Sequence, residues 1–140
     1  MARTFQCRLI TPDERMLDEN VTYAQLPLWD GQAGVLPGRA PMLAKLGLGE
    51  LRLDFPQGGS RSYFVEAGFV QMVDNRLTVL AEQAQAVESL SEQEIQAELA
   101  EAQARTPRTV EEAQQVALDR RRAQAKLRLV QAFKARGAGI

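Results

Sequence analysis

The feature that most constrains this chain is a change of periodicity near Val87. Before it, apolar residues alternate in short runs broken by Gly and Pro; after it, they recur at helical spacing behind two capping signals. Leu51, Leu53 and Phe55, alternating with Glu50, Arg52 and Asp54, typify the first pattern, that of a half-buried strand. A segment with one period does not settle into the structure of the other. The chain therefore divides into an expected β unit, residues 1–87, and an expected helical unit, residues 88–140.

Within the first unit, strands are expected at 4–10, 21–28, 50–55, 61–66, 69–73 and 76–81. Pro56-Gln57-Gly58-Gly59-Ser60 is turn chemistry, and Asp74-Asn75 reads as the turn of a hairpin. Short strands this closely spaced, with no helix between them, favour an antiparallel sandwich or barrel. The segment Trp29 to Gly49 breaks the alternation. Glycines at 31, 34 and 38 permit positive φ, while Pro37 and Pro41 fix their own φ and push their predecessors toward extended shapes. It reads as a rigid, sharply folded loop that either seals one end of the sheet or serves as a preorganised docking surface.

The second unit opens with the capping box Ser91-Glu92-Gln93-Glu94, and Thr109-Val110-Glu111-Glu112 repeats the signal. Two helices follow, about 91–104 and 110–135, joined by Arg105-Thr106-Pro107-Arg108 and closed by Gly137 and Gly139. Their charges separate. Glu82, Glu88, Glu92, Glu94, Glu98 and Glu101 precede the first base, Arg105, and after Asp119 there are bases and no acid. An acidic helix lying beside a basic one accounts for this, although each exposed pair contributes only ~0–1 kcal/mol. On the second helix Val116, Ala123, Leu127 and Val130 form one stripe, and Leu118, Ala125, Leu129 and Ala132 another on roughly the opposite side. The first helix offers few large residues, chiefly Leu90, Ile95 and Leu99, so the hairpin is expected to dock weakly and to be displaceable by a partner of its basic face.

Composition narrows the function. The 140 residues contain no His, the usual acid/base group near neutrality and the commonest metal ligand. Cys7 alternates with Phe5 and Leu9 and is read as a core thiol; as the only cysteine it allows no internal disulfide. A net charge of -1 gives no field for nucleic acid or an anionic membrane. Met1 to Thr11 lacks a signal-peptide run, no segment is long enough to insert in a membrane, and no phosphate-cradling Gly-rich loop, Gly-x-Ser-x-Gly elbow or metal-spaced cluster is present.

The run Gly31-Gln32-Ala33-Gly34-Val35-Leu36-Pro37-Gly38-Arg39-Ala40-Pro41-Met42-Leu43 resembles the Gly/Pro loop of the epsilon subunit of F-type ATP synthases. Ala67-Gly68-Phe69-Val70 and Leu77-Thr78-Val79-Leu80-Ala81-Glu82 resemble two of that family's strands, and the similarity covers essentially the whole chain. The resemblance implies an N-terminal antiparallel β-sandwich followed by a C-terminal antiparallel two-helix hairpin. It also implies a non-catalytic rotor subunit of the central stalk, peripheral on the cytoplasmic face of the inner (cell) membrane. Its implied partners are the gamma subunit, the c-subunit ring and, when the hairpin extends, the catalytic beta and alpha subunits. Coupling ring rotation to ATP synthesis and restraining ATP hydrolysis would be its tasks; catalysis would reside in other chains.

Residue by residue, the resemblance makes Trp29, Asp30, Gly31, Gln32, Gly34, Pro37, Gly38, Arg39, Pro41 and Met42 a docking surface for ring and stalk. Gln32 and Arg39 replace the Glu and His usual in that loop, so its polar contacts with the ring are expected to differ. Arg120, Arg121, Arg122, Lys126 and Arg128 become the inhibitory contact with the catalytic head. Leu118-Asp119-Arg120-Arg121-Arg122-Ala123 fits the Ile/Leu-Asp-x-x-Arg-Ala motif through which some bacterial members bind ATP, with Leu118, Asp119, Arg122 and Ala123 at the defining positions. Asp119 and Arg122 at i,i+3 equally form an intrahelical ion pair. The first-helix Arg of ATP-binding members has no counterpart between Glu82 and Ala104. No cofactor is expected beyond ATP as a regulatory ligand. An ATP-sensing hairpin, and a free-standing ligand-binding β-sandwich with a helical lid, are the competing readings.

Overall fold

The computed structural model describes residues 3–138. Its contacts divide the chain into two compact units, Met1–Ala86 and Val87–Ile140.

The first unit holds β1 (Phe5–Ile10), β2 (Arg15–Val21), β3 (Tyr23–Leu28), β4 (Gly31–Val35), β5 (Met42–Lys45), β6 (Leu48–Asp54), β7 (Ser60–Val73) and β8 (Arg76–Ala86). Hydrogen bonds connect them in the order β2-β1-β8-β7-β6-β3-β4, with β5 beside β7. This one sheet folds over on itself around a single apolar cluster that includes Phe5, Leu9, Leu26, Leu53, Val65 and Met72. Alternation explains who is inside: Phe5, Cys7 and Leu9 are buried while Gln6, Arg8 and Ile10 are half-exposed. Burial and the nearby Asp18 charge push the Cys7 thiol up to about 12, as befits a core thiol.

Three departures from the expected strands have clear causes. The stretches 61–66 and 69–73 are one strand, β7, carried through by positive φ at Ala67 (61°) and Gly68 (115°). A Cβ at Gly68 would lie 1.8 Å from the Leu80 carbonyl oxygen, so only glycine lets β7 and β8 stay paired there. The partner strands β5 and β6 also keep one register across the bend: Met42 lies opposite Met72, Leu46 N–H donates to Gly68 O, and Asp54 lies opposite Ser60. Second, β2 was hidden by the polar run Asp18-Glu19-Asn20; it shows its inner side only through Leu17 and Val21. Third, all ladders are antiparallel except β1–β8, where Gln6 to Ile10 run parallel to Arg76 to Leu80. Asp74 and Asn75 do make the β7–β8 turn, both at positive φ (52° and 61°).

The second unit has a short 3₁₀ turn, Val87–Ser89, then α1 (Glu92–Ala104) and α2 (Val110–Ala138). Both capping signals operate. Ser91 Oγ accepts from Glu94 N–H at 3.3 Å and Thr109 Oγ1 from Glu112 N–H at 3.0 Å. Glu112 turns back to Arg108 N–H at 2.7 Å, one residue outside the expected box. Gly137 does not end α2, because the helix continues through Ala138. Gly139, the other expected stop, lies outside the described residues. Val116, Ala123 and Val130 are buried with Leu127 half-buried; of the second stripe only Leu129 is buried, Leu118 and Ala125 being half-buried and Ala132 exposed. The helices are antiparallel, since Lys134 near the end of α2 reaches Glu92 at the start of α1 (2.9 Å).

Candidate functional site

The Gly/Pro segment, expected as a loop, is two strands and a turn. Trp29-Asp30 is the tip of the β3–β4 hairpin, with Leu28 opposite Gly31, and β5 begins at Met42. Between β4 and β5 the stretch 36–41 is irregular, and Leu46-Gly47 separates β5 from β6. Pairing with β3 and β7 outweighs the weak strand propensity of Gly31 and Gly34. The Tyr23 ring lies against the Gly34 backbone: a Cβ there would come within 2.8 Å of Tyr23 Oη, so a larger residue would displace the ring. Gly38 turns the chain at φ 82°. Trp29 (70% exposed) and Leu36 (62%) stand out in water, whereas Val35 between them points inward.

A second surface feature escaped the sequence reading. On the outer side of β7, β8 and β1, Phe69 lies opposite Leu80 and Leu80 opposite Ile10. Phe69 is 55% exposed, Leu80 48% and nearby Leu43 73%. A shallow hollow of about 410 Å³ opens there, walled by Ile10, Pro12, Phe69 and Leu80. The signal was available, because in β7 and β8 apolar residues occupy both alternating sets: Phe69 and Val73 outside, Val70 and Met72 inside.

On the hairpin, the basic residues expected to act together have different surroundings. The Arg120 guanidinium crosses from α2 to the end of α1. Its Nε donates to Ala102 O at 3.0 Å, and its Nη2 to Gln103 O at 3.3 Å and Arg105 O at 3.2 Å. Carbonyls at a helix C-terminus lack partners within the helix, so Arg120 caps α1 from outside and places a positive charge at its negative end. Asp119 is equally engaged. It accepts from Arg105 Nη2 at 2.7 Å, Arg122 Nη1 at 2.8 Å and Gln115 Nε2 at 2.8 Å. The Arg105 contact above all, joined by Gln115 and Arg122 and opposed by partial burial, holds this carboxyl below the ordinary Asp range. Arg105 also pairs with Glu101 at 3.0 Å. Arg122 and Lys126 are half-buried; Arg121 and Arg128 are exposed. Leu118 is half-buried and Ala123 buried, so of the four motif positions only Asp119 and Arg122 present polar groups at the surface of α2.

Comparison with known proteins decides the family. The pattern of the ATP synthase, Delta/Epsilon chain, beta-sandwich domain matches residues 4–87. An ATP synthase epsilon chain of Rhodopirellula baltica is 40% identical over 125 residues, covering 89% of this chain and 97% of its own. The chain belongs to the ATP synthase epsilon family. A relative from Lawsonia intracellularis, also an ATP synthase epsilon chain, is 35% identical over 75% of this chain and 78% of its own. Among solved structures, a chain of the Euglena gracilis mitochondrial ATP synthase OSCP/F1/c-ring assembly superposes with a TM-score of 0.72 at 22% identity, covering 96% of this chain and 81% of that one. A chain of the Tetrahymena thermophila mitochondrial ATP synthase central stalk and c-ring gives 0.64 at 14% identity, covering 89% and 95%. These two establish the common fold.

Within this epsilon-family chain, Gln32 and Arg39 of the Gly/Pro segment have local partners. Gln32 Oε1 accepts from Gln25 Nε2 across the β3–β4 ladder at 2.8 Å, and Arg39 Nη1 donates to Gly34 O at 3.0 Å. Both are exposed, so each also presents polar groups outward. No helix among the described residues is long and apolar enough to cross a membrane.

Proposed function

We propose that this chain is a non-catalytic rotor subunit of the central stalk, peripheral on the cytoplasmic face of the cell membrane. Its β unit grips the gamma subunit and the c-ring and couples ring rotation to ATP synthesis. Its hairpin restrains ATP hydrolysis by meeting the catalytic alpha and beta subunits. The observation that carries the reading is the apolar strip of half-exposed Ile10 and exposed Leu80 and Phe69 on the sandwich of an epsilon-family chain. Exposed Phe and Leu side chains on paired strands favour a partner that covers them. The strip suits the stalk subunit; the exposed 36–41 turn with Trp29 suits the ring. For the hairpin, exposed Arg121 and Arg128 are the bases that suit an acidic surface of the catalytic head.

The test is rebinding of the full chain to ATP synthase stripped of its epsilon subunit. Phe69→Glu should weaken rebinding at least about tenfold, because covering a half-exposed Phe is worth about 1–2 kcal/mol and a buried, unpaired carboxylate costs more. Its melting temperature should stay near that of the parent. Unchanged rebinding would remove the strip from the interface.

In the ATP-sensing alternative, a nucleotide would have to displace Arg105 from Asp119. Titration calorimetry with ATP distinguishes the two, heat at millimolar ATP that Arg122→Ala abolishes being the result that favours the sensor.

A further inference from the structure

The β7–β8 turn does more than reverse the chain. Asn75 sits there at φ 61°, a conformation tolerated by Asn and best suited to Gly. Both polar atoms of its side chain are engaged. Oδ1 accepts from the Gly38 N–H at 2.9 Å, and Nδ2 donates to the Thr4 carbonyl at 2.8 Å. Its own carbonyl accepts from Gln6 N–H at 3.1 Å. One residue thus ties together the lead into β1, the β7–β8 turn and the middle of the 36–41 turn.

Among the described residues, the other hydrogen bonds of the 36–41 turn stay within its own segment: Arg39 N–H to Leu36 O at 3.3 Å and Arg39 Nη1 to Gly34 O at 3.0 Å. Pro37 and Pro41 have no N–H to give. The Asn75 bond is different in kind, because it fastens the turn to another part of the sheet at Gly38. A loop held before binding loses less freedom when a partner orders it.

We infer that Asn75 is a positioning residue for the docking turn, holding Gly38 and its neighbours in the shape that meets the ring and stalk. This rests on the docking reading above. The chemistry required is narrow: a residue that accepts positive φ and carries an acceptor and a donor on a short stem. Gly supplies the φ alone. Asp supplies the φ and the acceptor for Gly38, but faces Thr4 O with an acceptor instead of a donor.

The experiment compares the full chain with Asn75→Gly and Asn75→Asp. Amide exchange at Gly38, followed by NMR, reads the pin in the isolated chain; rebinding to epsilon-stripped synthase reads docking. In Asn75→Gly, Gly38 should exchange roughly 2- to 12-fold faster, as expected for one lost hydrogen bond. Rebinding should weaken by a comparable factor, with the β7–β8 turn amides unchanged. Asn75→Asp should restore Gly38 protection and most of the rebinding. Unchanged Gly38 exchange in Asn75→Gly would overturn the pin. Faster exchange with undiminished rebinding, or equal behaviour of the Gly and Asp variants, would overturn the positioning role. Failure of the parent chain itself to rebind would instead refute the docking reading, and Gly38 exchange would then decide the pin alone.

Discussion

Replacing Arg120 by Ala tests the hairpin at its connected end. The substitution removes donors to the carbonyls of Ala102, Gln103 and Arg105 and a positive charge at the negative end of α1. A charged hydrogen-bonding group contributes about 1.5–3 kcal/mol when its partners are poorly hydrated, and the helix dipole about 0.3–1 kcal/mol. Arg120 is half-exposed, so water recovers part of this, and a net loss of about 2 kcal/mol is expected. That corresponds to roughly 30-fold more frequent opening of the helix pair. The assay is native-state hydrogen exchange of the α1 amides in the full chain, Ile95 to Ala104. Arg120→Ala should speed them about 30-fold, Arg120→Lys by less, and exposed Arg121→Ala hardly at all. Equal effects of the Arg120 and Arg121 substitutions, or no effect of Arg120→Ala, would refute the capping role. The result also bears on inhibition, because removing Arg120, Arg121 and Arg122 together would mix a loosened hairpin with lost partner contacts.

Three further outcomes follow from the geometry. Arg121→Ala with Arg128→Ala should relieve inhibition of ATP hydrolysis in a salt-sensitive way while α1 exchange stays constant; inhibition equal to the parent's would remove an electrostatic contact through these two. Gly68→Ala should cost at least about 3 kcal/mol, visible as a large fall in the urea midpoint, since a Cβ would strike the Leu80 carbonyl and φ 115° strains any L side chain; Ala67→Gly, at φ 61°, should be neutral or stabilise by up to about 1 kcal/mol. Asp119 has a folded-state value below its unfolded one, so its contribution is complete above about pH 4 and is lost as pH falls through the folded value. Hairpin protection should therefore drop in acid, and Asp119→Asn should flatten part of that drop; Glu92, held low by Lys134 and Gln131, contributes in the same direction.

Much of the fold was legible because local chemistry and tertiary structure agree. Alternation located β1, β3, β6 and most of β7 and β8, and Ser91 and Thr109 marked the helix starts to the residue. What stayed hidden depends on distant partners. β4 and β5 lie in a Gly/Pro-rich stretch whose strand character comes from pairing with β3 and β7. Ala67 has no local reason for positive φ; the bend of β7 imposes it. The candidate site was legible only as sequence features, a Gly/Pro segment and a basic helix. Charge alone could not separate Arg120, spent on α1 carbonyls, from exposed Arg121. Nor could turn chemistry show that Asn75 reaches Gly38.

The parallel pairing of β1 with β8 sets the order in which the β unit can be completed. Gln6 meets Arg76, and Leu9 meets Val79, so the first strand waits for the last before its second edge is satisfied. Until β8 arrives, the early β1–β2 hairpin is a two-stranded ribbon with an open edge, marginal by itself. Closing so long a loop is slow, and this step should limit the folding rate. During synthesis the wait ends at Ala86, before the helices exist, so the body can be finished while its arm is still being made.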